Sequence, residues 1–232
     1  MTHFYLYICL LAGFIIIMAY YNTYNAQLNQ NIKDTFQTKD SKASVILLGD
    51  SILKNNSYVS NKKSVEHLLK AKSEDNCYNY AEDGAIITDC YNQLDNIPAS
   101  LNNANTTIYL SVGGNDIISY YIEQLQSTKN THVLMQMFNS YKKLVKSIQT
   151  KMNHVKLVLL DIYYPTEPYY KPYYGLISKW NGMINQYAEN PPNNISGVLA
   201  VSKILNNNKD FVFAIEPSEI GGEKIVNLMM TS

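Results

Sequence analysis

The sequence predicts an α/β protein with a central parallel sheet of about five strands covered by helices on both faces, preceded by an N-terminal transmembrane helix. Three observations carry this expectation. Short apolar runs rich in β-branched residues alternate with longer segments whose apolar residues recur every three or four positions. The run Val45-Ile46-Leu47-Leu48 is apolar on both faces, as in a doubly covered sheet, and stops abruptly at Gly49-Asp50-Ser51. Residues 4–21 are apolar and uncharged throughout.

That first segment, centred on Phe14-Ile15-Ile16-Ile17-Met18, lies at the short end of the roughly 17–25 residues that span a bilayer. An uncleaved anchor is expected over residues 1–21. A cleaved signal peptide is the competing reading, but no basic residue precedes the run and no small-x-small site follows it. Tyr5, Tyr7, Tyr20 and Tyr21 suit the aromatic belts of a membrane interface. The first lysine, Lys33, comes well after the run, so a single-pass protein with a lumenal or extracellular domain is expected. Residues 22–43 are polar and aperiodic and read as a linker; residues 44–232 form the globular domain.

Charge and cysteine content narrow the function classes. Nineteen lysines balance nineteen acidic residues and arginine is absent, so there is no basic excess to bind nucleic acid. Cys9, Cys77 and Cys90 are too few and too scattered for a zinc site, and Cys77 and Cys90 read as buried free thiols.

The elements follow in order. After the first strand, Val65, Leu68 and Leu69 mark a short helix, Cys77 to Ala81 a second strand, and Thr107 to Val112 a third. Leu134, Phe138, Tyr141, Leu144, Val145 and Ile148 form a helical stripe within residues 131–152. Lys156 to Ile162 is the fourth strand, Leu176 to Tyr187 a helix, and Val198 to Val201 a fifth strand. A last helix opens at Pro217-Ser218 and buries Ile225, Val226 and Met229.

Candidate chemistry sits where strands end. Gly49 allows a sharp turn, and Asp50-Ser51 favour a helix start, which would put the Ser51 hydroxyl at the carboxyl edge of the sheet beside helical N–H groups. Ser51 is the candidate nucleophile. Gly84, after the second strand, lets a backbone N–H approach a substrate closely, and Asn115 in Gly113-Gly114-Asn115-Asp116, after the third, offers an amide donor. A hydroxyl with two such donors is what acyl transfer needs, since both can bind the oxyanion of a tetrahedral intermediate.

The ordered blocks Gly49-Asp50-Ser51, Asn79 to Ala85 with Gly84, and Gly113-Gly114-Asn115-Asp116 resemble the first three blocks of the SGNH (GDSL-type) hydrolases. The resemblance implies a flavodoxin-like three-layer α/β/α fold. It also implies ester hydrolysis without a cofactor, with Ser51 as nucleophile and an oxyanion hole formed by Ser51, Gly84 and Asn115. The last block departs from the family's Asp-x-x-His-Pro: here it reads Phe213-Ala214-Ile215-Glu216-Pro217, so Glu216 takes the place of the histidine base and Phe213 that of its orienting acid. Of the histidines, only His132, at a helix start, could swing toward the site, and a surface histidine is the favoured reading there. Asp210 is a possible proton-sharing partner for Glu216.

A carboxylate is a weak base at neutral pH unless burial raises its pKa, and Phe213, Ile215 and Pro217 make an apolar setting for Glu216. The expected activity is therefore hydrolysis of acyl or acetyl esters, best at acid to mildly acid pH. The tyrosine- and proline-rich segment 163–174 follows the fourth strand, and Tyr163, Tyr164 and Tyr169 are candidate substrate contacts for a glycan or lipid ester. Two readings compete with the hydrolase. One is a catalytically inactive relative that binds an acylated ligand or partner; the other is a structural membrane protein using the fold as a scaffold.

Overall fold

The structure, a computed structural model, describes residues 18–25, 27, 43–74, 76–124 and 130–231, the side chains of residues 121–124 and 130–132 excepted. The chain divides into two units, Met1–Ser41 and Lys42–Ser232. In the first, residues 18–25 are helical. The expected anchor over residues 4–21 lies, but for its last four residues, outside the described part; among the described residues no helix is long and apolar enough to cross a membrane.

The second unit is a three-layer α/β/α domain around a five-stranded parallel sheet. Its strands are β1 (Ser44–Gly49), β2 (Cys77–Asn79), β3 (Thr106–Ser111), β4 (Lys156–Leu160) and β5 (Gly197–Leu199), in the order β2-β1-β3-β4-β5. Alternation along each strand splits the core in two. Ile46, Leu48, Ile108, Leu110, Leu157 and Leu159 face one layer; Leu47, Tyr109, Val158, Leu160 and Leu199 face the other.

The first layer holds helices α2 (Asp89–Asp95), α3 (Gly114–Gln124), α4 (Asn130–Lys151) and α5 (Tyr174–Glu189). Its centre is aromatic: Trp180 is fully buried with its ring edge-on to Phe138 and Tyr141, both centroids 5.4 Å away. Gly113 lies against that indole with φ +116°, and a Cβ there would stand 2.5 Å from the ring. The second layer holds α1 (Val65–Lys72), α6 (Val201–Ile204) and α7 (Glu219–Met230), the last capped by the Ser218 hydroxyl, which accepts from Gly221 N–H. Cys77 and Cys90 are buried free thiols on opposite faces of the sheet.

A short antiparallel hairpin, β6 (Phe211–Val212) and β7 (Glu216–Pro217), precedes α7. Its turn places Phe213 and Ala214 at φ +47° and +68°, a region that costs non-glycine residues about 1 kcal/mol or more each. Phe213 is 75% exposed at the tip, far from the role of an orienting group.

The sequence also places a helix start at Ser51, and the structure corrects this. Leu53 and Lys54 N–H donate to the Asp50 carbonyl in one turn, and the next helix, α1, begins only at Val65. Asn55, Asn56, Ser57, Ser60 and Asn61 are residues of low helix propensity, and Asn55 turns its side chain to Val65 N–H and Pro217 C=O instead. Asn55 itself is fully buried.

Candidate active site

Because β1 and β2 lie to one side and β3 onward to the other, the chain reverses its winding between β1 and β3, and a crevice opens at their carboxyl ends. The β1 end is fixed first. Gly49 turns at φ +129°, where a Cβ would fall 1.7 Å from the Ser111 carbonyl oxygen, so β1 and β3 meet more closely than any other residue allows. Gln93 of α2, 1% exposed, then clamps the same residue: Gly49 N–H donates to Oε1 and Nε2 donates to Gly49 C=O, both at 2.8 Å. Gln93→Leu keeps the volume but strands the buried Gly49 N–H, while the Gly49 carbonyl keeps the hydrogen bond from Glu82 N–H. The substitution is expected to cost about 3 kcal/mol, read by urea unfolding.

Asp50 follows, 2% exposed, its Oδ1 accepting from Ile52 N–H and Ser111 Oγ at 3.2 Å each. Burial pushes its carboxyl up from 3.8 to about 7, against the two hydrogen bonds and with small contributions from Glu216 and Asp116. Ser51 is next, 7% exposed. Its backbone N–H has no acceptor among the described residues, which leaves it free for a substrate oxygen.

The other donor blocks sit on the neighbouring loops. Asn115 opens α3 and donates one amide hydrogen to Ala85 C=O at 3.0 Å, tying the loop after β3 to the loop after β2. Asp116 accepts from Ile87 N–H at 3.2 Å, and burial lifts its carboxyl to about 6.

Glu216 reaches the same place from the far end of the chain. Its carboxyl lies near enough to the Ser51 hydroxyl for that group to favour its charged form, yet burial raises its pKa above the ordinary carboxyl value, the Asp83 charge adding to the effect. Glu216 Oε2 is buried with no hydrogen-bond partner among the described residues. Its neighbours are held on both sides, since Tyr163 OH donates to Ile215 C=O at 2.5 Å and Asn55 Nδ2 donates to Pro217 C=O at 3.3 Å. These two bonds steady the strained hairpin.

A cavity of about 230 Å³ joins these groups, with Asp50, Ser51, Asn115 and Glu216 on its wall. Gly84 does not line it; it stands exposed beside Ala85, reaching the cavity only through that neighbour's bond to Asn115. Of the tyrosines singled out by sequence, Tyr163 lines the cavity with its hydroxyl committed to Ile215, whereas Tyr164 and Tyr169 do not line it. Tyr164 packs edge-on against Tyr174, and Tyr169 is 68% exposed. Tyr170 and Tyr173 line the cavity instead, because residues 168–173 wind into a 3₁₀ helix that turns them inward.

Asp210 is not available to Glu216: it is 1% exposed and paired with Lys224 Nζ at 2.7 Å. The side chain of His132 lies outside the described residues. His67 bonds the α1 cap, Ser64, and His154 precedes β4 at the opposite edge of the sheet. No group of His, Cys, Asp and Glu able to hold a metal occurs among the described residues.

Sequence reasoning passed over Gln93, Asn55 and Asn181, all buried amides that clamp backbone. Asn181 brackets Ile162 just after β4, donating to its carbonyl at 2.7 Å and accepting from its N–H at 2.8 Å. The available signal was a lone amide on an apolar helical stripe, as with Gln93 beside Cys90 and Leu94.

Comparison with known proteins agrees with this fold. Residues 45–211 match the GDSL-like lipase/acylhydrolase family, a match that stops short of Glu216. A member of the lipolytic protein G-D-S-L family from Veillonella parvula DSM 2008 superposes with a TM-score of 0.61 at 18% identity, covering 81% of this chain and 96% of that one. Phospholipase A1 from Streptomyces albidoflavus NA297 gives 0.61 at 13% identity, covering 82% and 99%. The acetyl xylan esterase AlAXEase gives 0.59 at 19% identity, covering 81% and 98%. No curated protein matches the chain in sequence. The family match runs from the first strand to the start of the terminal hairpin, most of the chain, and on that ground the protein belongs to the GDSL-like lipase/acylhydrolase family.

Proposed function

We propose that this protein is a serine ester hydrolase in which Glu216 acts as the general base in place of histidine. The observation that carries the proposal is the convergence of Ser51, Asn115 and Glu216 on the wall of one cavity, with Glu216 Oε2 buried there without a hydrogen-bond partner among the described residues. Ser51 Oγ attacks the ester carbonyl while its proton passes to Glu216. The carbonyl oxygen, now negative, is held by Ser51 N–H and by the second hydrogen of the Asn115 amide. Collapse expels the alcohol, which takes the proton back from Glu216, and water repeats the sequence on the acyl-enzyme. The apolar segment 4–21 would hold the domain at a membrane.

Both carboxyls shape the pH dependence. Glu216 must be ionised to accept a proton, so the rate rises with pH through its raised pKa. Asp50 loses its proton near pH 7 and then sets a negative charge beside the forming oxyanion, so the rate falls again. A bell-shaped profile of kcat/KM with its maximum on the acid side of 7 is expected for a short-chain aryl ester.

The direct test is labelling by a fluorophosphonate. The full chain is expected to be labelled at Ser51 and the Ser51→Ala protein not at all. Absence of labelling and of ester turnover between pH 5 and 8 would leave the inactive-relative reading in its place.

A further inference from the structure

The cavity next to Ser51 is built to hold something of definite size and chemistry. Its deep wall is made by Ile117, Ile162, Tyr173 and Ile177, each under a tenth exposed, with Ile118 and Pro165 above them. Among the described residues, the only carboxylates on its wall are Asp50 and Glu216, both at the reactive end, and no lysine lines it. An anionic acyl group would meet two carboxyls and no cation. A sugar would bring hydroxyls to the isoleucine face formed by Ile117, Ile118, Ile162 and Ile177, which cannot bond them.

Direction follows from the chemistry, and here the inference rests on the hydrolase reading. Glu216 must return its proton to the leaving alcohol oxygen, so the alcohol lies on the hairpin side. The oxyanion faces Asn115. The acyl chain is left with the remaining direction, down between α3 and α5, where Ile117, Ile118 and Ile177 stand.

Size follows from volume. An apolar cavity of about 150 Å³ holds one benzene ring, so the 230 Å³ here holds about nine carbons on the same scale, the reacting carbonyl among them. We infer that this cavity is an acyl-chain pocket selective for uncharged, medium-length acyl esters of about six to nine carbons over acetyl esters, with Ile118 and Ile177 setting the length limit.

The inference is tested with the full chain on 4-nitrophenyl esters from acetate to palmitate. Each buried methylene is worth about fourfold, so kcat/KM is expected to climb at least about 100-fold from acetate to octanoate, then fall toward palmitate. Ile177→Trp and, at the less buried rim, Ile118→Trp fill the cavity and are expected to lower the octanoate-to-acetate ratio at least about tenfold. Octyl acetate is expected to gain little over ethyl acetate, because its chain is on the alcohol. A maximum at acetate, an equal gain for octyl acetate, or an unchanged ratio in both tryptophan variants would overturn the assignment.

A binding arm separates this from the catalytic reading. Ser51→Ala is expected to bind octanamide at least about tenfold more tightly than acetamide, and the tryptophan variants to remove that difference. If no ester is turned over but octanamide is preferred, the hydrolase reading fails and the pocket stands. If esters are turned over and octanamide is not preferred, the pocket fails and the hydrolase stands.

Discussion

Glu216→Gln is expected to lower kcat/KM for an aryl octanoate by about 10²–10⁴-fold, the usual contribution of a positioned general base. Ser51→Ala is expected to lower it by about 10⁴-fold or more, since removing a nucleophile disables the whole relay. The two effects should not add: once the hydroxyl is gone, loss of the carboxylate changes little further, because both act on one proton transfer. Steady-state rates of the two single variants and the double variant check this. Glutamine keeps the size of Glu216 and removes only its basicity, so a full-rate Glu216→Gln protein would show that the base lies elsewhere. Glu216→His is expected to move the acid limb of the pH profile toward the histidine range.

Asp50→Asn carries the largest expected effect on stability. The folded protein holds the Asp50 proton up to about pH 7, whereas an unfolded chain releases it near 3.8. Below about pH 4 both states are protonated and the buried site costs nothing extra. Between about 4 and 7 the unfolded chain is the one that ionises, so stability falls as pH rises. Above 7 the full difference remains, about 4 kcal/mol. Asparagine keeps the Oδ1 acceptor for Ile52 and Ser111 without the charge. Urea unfolding at pH 8 is expected to show the variant more stable by up to that amount, with no gain at pH 3.5. The same variant is expected to flatten the alkaline limb of the rate profile. A destabilised variant at pH 8 would mean that the carboxylate is ionised and satisfied in the native protein.

The parts of this protein that are legible in its sequence are those set by local period. Doubly apolar strands and the Leu134 to Ile148 stripe announced the sheet and its largest covering helix, because side-chain burial repeats every two or 3.6 residues. Ser51 and Asn115 were legible as chemistry at strand ends, and β1 and β3 run side by side, so their ends meet. What stayed hidden joins distant positions. Gln93 and Gly49 are 44 residues apart, and Asn55 and Pro217 are 162 apart. No periodicity encodes such pairs. The tyrosine segment misled for another reason: its composition suggested a binding loop, but the 3₁₀ turn decides which rings face inward, and Tyr173 rather than Tyr169 is among them.

All five strands of the sheet are parallel, and β1 enters at Ser44 and leaves at Gly49. The incoming chain therefore joins the domain at the edge remote from Ser51. A domain fused or immobilised through its amino-terminal side presents its reactive mouth outward, so esters carried on a bead, a vesicle or a polymer particle facing it stay within reach.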